Sequence, residues 1–519
     1  MNSKIKRLVI VGGGTAGWLS AGIIAAEHFC DHNNFELYLI ESPDIPTIGV
    51  GEGTWPSMRT TLQKMGISET EFLCECNASF KQGTQFFNWT YGEDDTYSHP
   101  FTAPHLFNEK NLAPHWHQIN KNIPFADAVC PQTPLFSNNQ APKNISTPEY
   151  AFNVNYGYHL DAAKFAELLR KHCVNNLGVS HISANMTAIN SSENGDIHSI
   201  STDTQGSIEG DLFIDCSGSK ALLIGEHYKI PLKSKNKYLF NNSALAAQVP
   251  YRTAEDPIQS CTLSTAQSAG WIWDIGLPTR RGIGHVYSSN YNSEDNARAE
   301  LLAYIKKTAG EKAAEMASVR KITFDPGHRE KFWHKNCVAI GMSAGFIEPL
   351  EASALVLVEL SAAMIAEQLP ANRKVMDIVA KRFNQKFNYR WDRIIDFLKL
   401  HYILTQRTDT DYWVDNCAQS SIPDSLQELL ELWHYQVPWH RDNYHIDEMF
   451  PSASFQYVLY GMDFETQLDP LSNRTDREVG IQAQSMFADN AMHANQLLAS
   501  LPTNRDLINK IQKYGLQKI

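Results

Sequence analysis

The chain has 519 residues, 43% of them hydrophobic, enough for a large core and for roughly two to four domain-sized units or one enlarged α/β body. Its 45 Lys and Arg against 57 Asp and Glu leave a formal net charge of −12, which argues against a general affinity for nucleic acid or anionic membrane. Among nine cysteines only Cys74 and Cys76 lie close together, without the second pair of a zinc ribbon, so they read as reduced thiols of a soluble cytoplasmic protein.

The apolar run Leu8 to Val11 predicts a first strand, and because it leads straight into glycines it is not read as a secretory leader. Trp18 to Glu27 follows as a helix and Leu37 to Ile40 as a second strand. From about Phe80 to Tyr156 the chain is rich in Pro, Asn, His and aromatics, which predicts an irregular insertion. Here His115 and His117 sit at strand spacing without a third metal ligand and are read as loop histidines. A helix is expected over Ala162 to Cys173, then β-rich chain to Asp215. Residues 236 to 330 alternate apolar and polar in short runs, as an antiparallel sheet does. The longest apolar run, Ala354 to Ala366, is interrupted by Glu359 and predicts a buried helix, too short to span a bilayer. From Ile365 onward the chain reads as mostly helical, with Trp391 to Leu404 the clearest helix.

Gly12-Gly13-Gly14-Thr15-Ala16-Gly17 fits G-x-G-x-x-G between a strand and a helix, and Glu41 ends the next strand where a ribose would sit. In this pattern Gly12 makes the turn, Gly14 admits a pyrophosphate and Gly17 lets helix and strand close up. The helix amino terminus then supplies free N–H groups to the phosphates. A tight turn without ligand is the alternative, disfavoured once strand, helix and acid are all present. Asp211 to Gly218 and Val338 to Gly345 are two further strand-to-turn segments that would bring backbone, Gly341 included, to the same dinucleotide, read as FAD. No second G-x-G-x-x-G occurs, so reduced flavin is expected from a separate flavin reductase.

Several ordered motifs resemble the flavin-dependent tryptophan halogenases over nearly the whole length. They are Gly12 to Gly17 followed by Trp18, Ile48 to Gly53, Phe80-Lys81-Gln82-Gly83, Trp271 to Ile275, Phe346 to Glu351, and His401 to Arg407. The resemblance implies an α/β fold: an FAD-binding Rossmann-type (GR2-like) module with an inserted mixed sheet and a helical C-terminal substrate region. The corresponding organisation is a discontinuous FAD-binding body over 1–380, with a substrate-side insertion at about 80–156 and an antiparallel sheet at about 236–330. A mostly helical region covers 381–519. Gly49, Val50, Gly51 and Glu52 join the cofactor contacts.

The activity so implied uses reduced FAD, oxygen and halide, chloride or bromide, to make hypohalous acid. The acid passes through a tunnel to an electron-rich aromatic, indole or tryptophan-like. Lys81 would hold and polarise the hypohalous acid or become a haloamine, and Glu351 would stabilise the cationic ring intermediate and take its proton. Glu348 is the alternative carboxylate. Ser353 and Ala354 correspond to the backbone N–H groups of the halide site, although the family's Ser-Thr-Gly is Ala352-Ser353-Ala354 here. Trp271 and Trp273 match the tunnel tryptophans or, equally, alternate on one strand face in the core. Gly276 stands where the family has proline. His99, Phe101 and Phe450 are the substrate-stacking candidates. The tyrosine pair and glutamate that grip an amino acid's polar end are not found, His445 falling near the expected glutamate, so a ring without the zwitterion fits at least as well as free tryptophan. A flavin monooxygenase and a non-catalytic FAD-binding protein are the competing readings. No nucleic acid or membrane partner is expected, and a homodimer is compatible with the sequence.

Overall fold

The computed structural model describes residues 4–28, 35–45, 51–119, 121–443, 445–468 and 477–518, and the chain divides into two compact units. Residues 1–78, 160–235 and 324–391 form the first; residues 79–159, 236–323 and 392–519 form the second. The 31-residue helix Arg373–Ile403 contributes residues to both.

A six-stranded sheet organises the first unit, in the order Trp333–His334, Cys337–Ala339, Leu212–Asp215, Arg7–Val11, Glu36–Glu41 and Ser180–Ser183. It is parallel apart from the Trp333–Cys337 edge hairpin, with Leu8 opposite Leu212 and Leu37. Both faces are covered, which is why these strands read as unbroken apolar runs: Leu8, Val9 and Ile10 are wholly buried. Helix Thr15–His28 packs against helices Ala162–Asn176 and Ser353–Glu367. The last of these is the buried helix expected around Glu359.

The second unit is built on a seven-stranded sheet in the order Val319–Thr323, Ser243–Pro250, Arg280–Tyr287, Gly270–Gly276, Thr262–Gln267, Gly83–Phe87 and Thr96–Pro100. It is antiparallel except where Thr262–Gln267 runs parallel to Gly83–Phe87. Helix Glu294–Ala309 closes one face, laying Leu301 and Ile305 on Leu245, Ile272 and Ile283.

Two sequence expectations need correction. The segment from about 80 to 156 is irregular only in part: between long stretches of turn and coil it carries strands Ser79–Lys81, Gly83–Phe87 and Thr96–Pro100 and helices Ala113–Ile119, Phe125–Val129 and Thr133–Ser137. Each is too short for its periodicity to show. His115 and His117 lie on the first of those helices, not on a strand or loop, so their spacing of two turns them to different sides. Among the described residues no helix is long and apolar enough to cross a membrane.

Candidate active site

In the first unit, strands ending at Val11, Glu41, Asp215 and Ala339 deliver the following backbone to one cavity of about 690 Å³. Gly12 leaves its strand at φ 119°, and a Cβ there would lie 2.1 Å from the Cys216 carbonyl oxygen. At Gly17 a Cβ would meet the Gly12 carbonyl oxygen at 1.9 Å, so the helix can lie this close only with glycine at that point. Gly14 is different: none of the described atoms comes within 4 Å of its Cβ position, leaving the helix amino terminus open to the cavity. Thr15 and Ala16 line the wall beside it, and their N–H groups have no partner within the helix.

Glu41 lines the same cavity beside the glycine turn, its carboxyl carbon 2.2 Å from where a Gly13 Cβ would sit and its carboxylate 2.9 Å from His181 Nε2. Glu52 lines it too, half-buried, and loss of hydration pushes its carboxyl up to about 7. Gly341 adds a left-handed turn at φ 71°. The open glycine turn at Gly12 to Ala16, Glu41 and the wall from Gly341 onward leave room for a dinucleotide of the class of FAD. Gly17 supports the turn from behind, and Gly51 adjoins Glu52 without lining the cavity. Gly49 and Val50 lie outside the described residues.

Beyond Gly341 the chain from Ala344 to Pro349 follows the cavity wall, and Ser353 and Ala354 rejoin it as the first residues of helix Ser353–Glu367. Between them Glu351 and Ala352 both adopt left-handed backbone, at φ 64° and 54°. Glu351 is buried, and the Trp55 indole Nε1–H donates to its carbonyl oxygen at 2.7 Å. Trp55 is a partner that no sequence motif announces. Glu348 lines the cavity and is buried as well.

In the second unit, Lys81 ends the short strand Ser79–Lys81 and is only 1% exposed. Its ammonium lies 5.4 Å from the centre of the Phe101 ring, within cation–π range. A set of amide bonds fixes the chain on either side. Gln82 donates its backbone N–H to Ser260 O, its Nε2 donates to Gln140 O, and Gln132 Nε2 donates to Gln82 Oε1. Asn504 Nδ2 donates to Phe80 O at 3.1 Å. These partners are distant in sequence, so nothing near Lys81 announced its burial.

His99 is buried on strand Thr96–Pro100, with Phe397 at 5.6 Å and Tyr457 at 6.0 Å between ring centres. Phe450 stacks on Phe397 at 3.8 Å, so one of its faces is already covered. Phe397 and Tyr457 are thus members of this aromatic group that sequence reading missed. His445 is exposed. Trp271 and Trp273 share one face of strand Gly270–Gly276, with ring centres 6.4 Å apart. Gly276 accepts a hydrogen bond from the Ser79 hydroxyl at 2.5 Å, and a Cβ there would approach Gln259 N at 2.8 Å. Cys74 is exposed and Cys76 buried, and both are free thiols.

The parallel sheet, the glycine turn and the cavity at its carboxyl edge define a dinucleotide-binding protein. The tryptophan halogenase family model matches residues 7–477, and the chain belongs to that family. Members are enzymes that use reduced FAD and a halide ion as co-substrate. A solved tryptophan halogenase from Shewanella frigidimarina is 50% identical, with 100% of this chain and 99% of that one covered and a TM-score of 0.96. Tryptophan 6-halogenase ThaL of Streptomyces albogriseolus is 30% identical over 98% of this chain and 99% of its own. The flavin-dependent halogenase BrvH from Brevundimonas is likewise 30% identical, with 98% and 99% covered and a TM-score of 0.85.

Proposed function

We propose that the chain halogenates an electron-rich aromatic ring, indole or tryptophan-like, with Lys81 and Glu351 as the catalytic pair. The observation that carries this reading is the burial of Lys81 against Phe101, since an ammonium is withdrawn from water at a cost that a surface role does not require. Bound reduced FAD, with oxygen as the oxidant, would supply the chemistry that converts halide to hypohalous acid: two electrons from the flavin and two from the halide reduce O2 to water and the oxygen of the acid. The N–H groups of Ser353 and Ala354, at a helix amino terminus facing the cavity, suit a halide ion. Lys81 receives the hypohalous acid and presents its halogen to the ring. Glu351 balances the positive charge that develops on the ring and accepts the proton lost when aromaticity returns. His99, Phe101 and Phe450 provide aromatic walls for the substrate. Trp271 and Trp273 form part of the path by which the acid arrives. A separate reductase supplies the reduced flavin.

The relatives named for tryptophan support an indole nucleus. The exposed His445, in the region where an amino-acid clamp is expected, favours a ring lacking the zwitterion. The test offers indole, tryptophan and a panel of phenols to the purified protein with FAD, a flavin reductase, NADH, oxygen and bromide or chloride. Mass spectrometry should find a halide-dependent mass gain on the ring. Lys81→Ala should abolish that product while FAD binding and hydrogen peroxide release continue. Halogenation at the normal rate by Lys81→Ala removes the lysine from the mechanism, and oxygen addition alone turns the reading to a monooxygenase.

A further inference from the structure

We propose that His159 is a positioning residue for Lys81, its ring nitrogen Nδ1 accepting a hydrogen bond from a water that in turn accepts one from the lysine ammonium. The inference rests on the role given to Lys81 above.

Strand register brings the two residues together. Ser79 lies opposite His159 and Lys81 opposite Gly157 in an antiparallel pair. Side chains alternate along a strand, so Ser79, Lys81 and His159 share one face, with Lys81 on the diagonal from His159. Phe80, Tyr156 and Tyr158 pack together on the other face.

His159 is wholly buried, and its Nε2 is hydrogen-bonded to Thr262 Oγ1 at 2.9 Å. That contact fixes the ring plane, and in the tautomer whose Nε2–H donates to the hydroxyl Nδ1 is an acceptor. Nδ1 is buried and has no hydrogen-bond partner among the described residues. A buried polar atom in that condition is costly, so it marks a place where a partner belongs.

The charges around the ring agree. Burial drives the imidazole well below its ordinary basicity, and the charge of Lys81 adds to the effect. From the neighbouring sheet come Thr262, the first residue of strand Thr262–Gln267, and the buried thiol of Cys261 just before it, and the buried Asp274 acts on that thiol from the adjoining strand. Asp274 is paired with Arg281. On the opposite face Lys143 is spent on Pro148 O, Tyr156 OH and the Phe80 ring. Lys81 is the cation whose charge acts on this imidazole, which stays uncharged at neutral pH. An uncharged acceptor steadies the ammonium without neutralising it.

The two amide replacements separate this role from a structural one. Asn places its amide near the position of Nδ1, whereas Gln places it near Nε2 and retains only the bond to Thr262. His159→Gln and His159→Phe should lower halogenated product per reduced flavin consumed by about tenfold. Flavin reoxidation, peroxide release and thermal midpoint should stay near the parent values. His159→Asn should recover at least half of the parent yield. Acylation of Lys81 by an amine-directed reagent, followed by peptide mass spectrometry across pH, should show a displaced midpoint in His159→Phe and His159→Gln only. Parent-like yield in His159→Gln, or an unmoved midpoint in both variants, overturns the inference. Lys81→Ala runs alongside: normal product from it withdraws the lysine role itself, whereas a dead Lys81→Ala with fully active His159 variants withdraws only the role of His159.

Discussion

Glu351 and Ala352 hold positive φ without being glycine, a conformation that costs of order 1–3 kcal/mol per residue and persists only where the surroundings enforce it. The Trp55 N–H to the Glu351 carbonyl is one such constraint, and it acts on the backbone that carries the proposed catalytic carboxylate. A hydrogen bond of this kind contributes about 1 kcal/mol. Trp55→Phe keeps the ring and removes the donor, so halogenation should fall roughly fivefold with FAD affinity and substrate KM unchanged. Steady-state kinetics on the variant decides it: an unaltered turnover means the turn is held by other contacts. At this scale the sequence showed the identity of Glu351 but not its backbone, because left-handed φ at a glutamate follows from tertiary contacts and not from the residue. The same holds for Lys81, whose burial depends on Gln132, Gln140 and Asn504, far along the chain.

Helix Ser353–Glu367 was legible from its apolar run, and Glu359 was visible as an interruption in it. What the interruption does was not visible, since the hydroxyls of Ser57 and Thr61 that donate to its carboxylate come from a helix some 300 residues earlier. Burial outweighs those two bonds and pushes the Glu359 carboxyl up to about 7. The folded state consequently holds this proton over a range where the unfolded chain has released it. Its contribution is neutral below about pH 4.5 and grows unfavourable between there and 7. Above that it costs on the order of 3 kcal/mol. Glu359→Gln removes the proton linkage and keeps a hydrogen-bonding group of the same shape. Its thermal midpoint should exceed the parent's by several degrees at pH 8 and match it near pH 4.5. A midpoint gain that does not grow with pH would show that the carboxyl ionises normally. Helices with many turns and strands with wholly apolar runs were readable in this way, whereas the strands of three to five residues between 79 and 100 were not, because one or two repeats of a two-residue alternation do not stand out among turns.

At the scale of the molecule, the motif Gly12 to Gly17 was readable because a phosphate-binding turn is local: six consecutive residues specify it. The unit that makes it a cavity is not local, since residues 1–78, 160–235 and 324–391 must all assemble before Gly341, Ala184 and Glu41 line one space. Cofactor binding is therefore linked to the folding of all three segments. A ligand at about a hundred times its Kd stabilises the folded state by about 2.7 kcal/mol. Scanning fluorimetry with saturating FAD should raise the first unit's melting midpoint by about 5–10 °C. Lys81→Ala, altered in the other unit, should show the same rise. Gly12→Ala should show none, because its new Cβ would fall 2.1 Å from the Cys216 carbonyl oxygen and force open the joint between two of the three segments. A full rise in Gly12→Ala would move the pyrophosphate away from this turn, and a lost rise in Lys81→Ala would mean that the lysine contributes to holding the flavin as well as to the chemistry proposed for it.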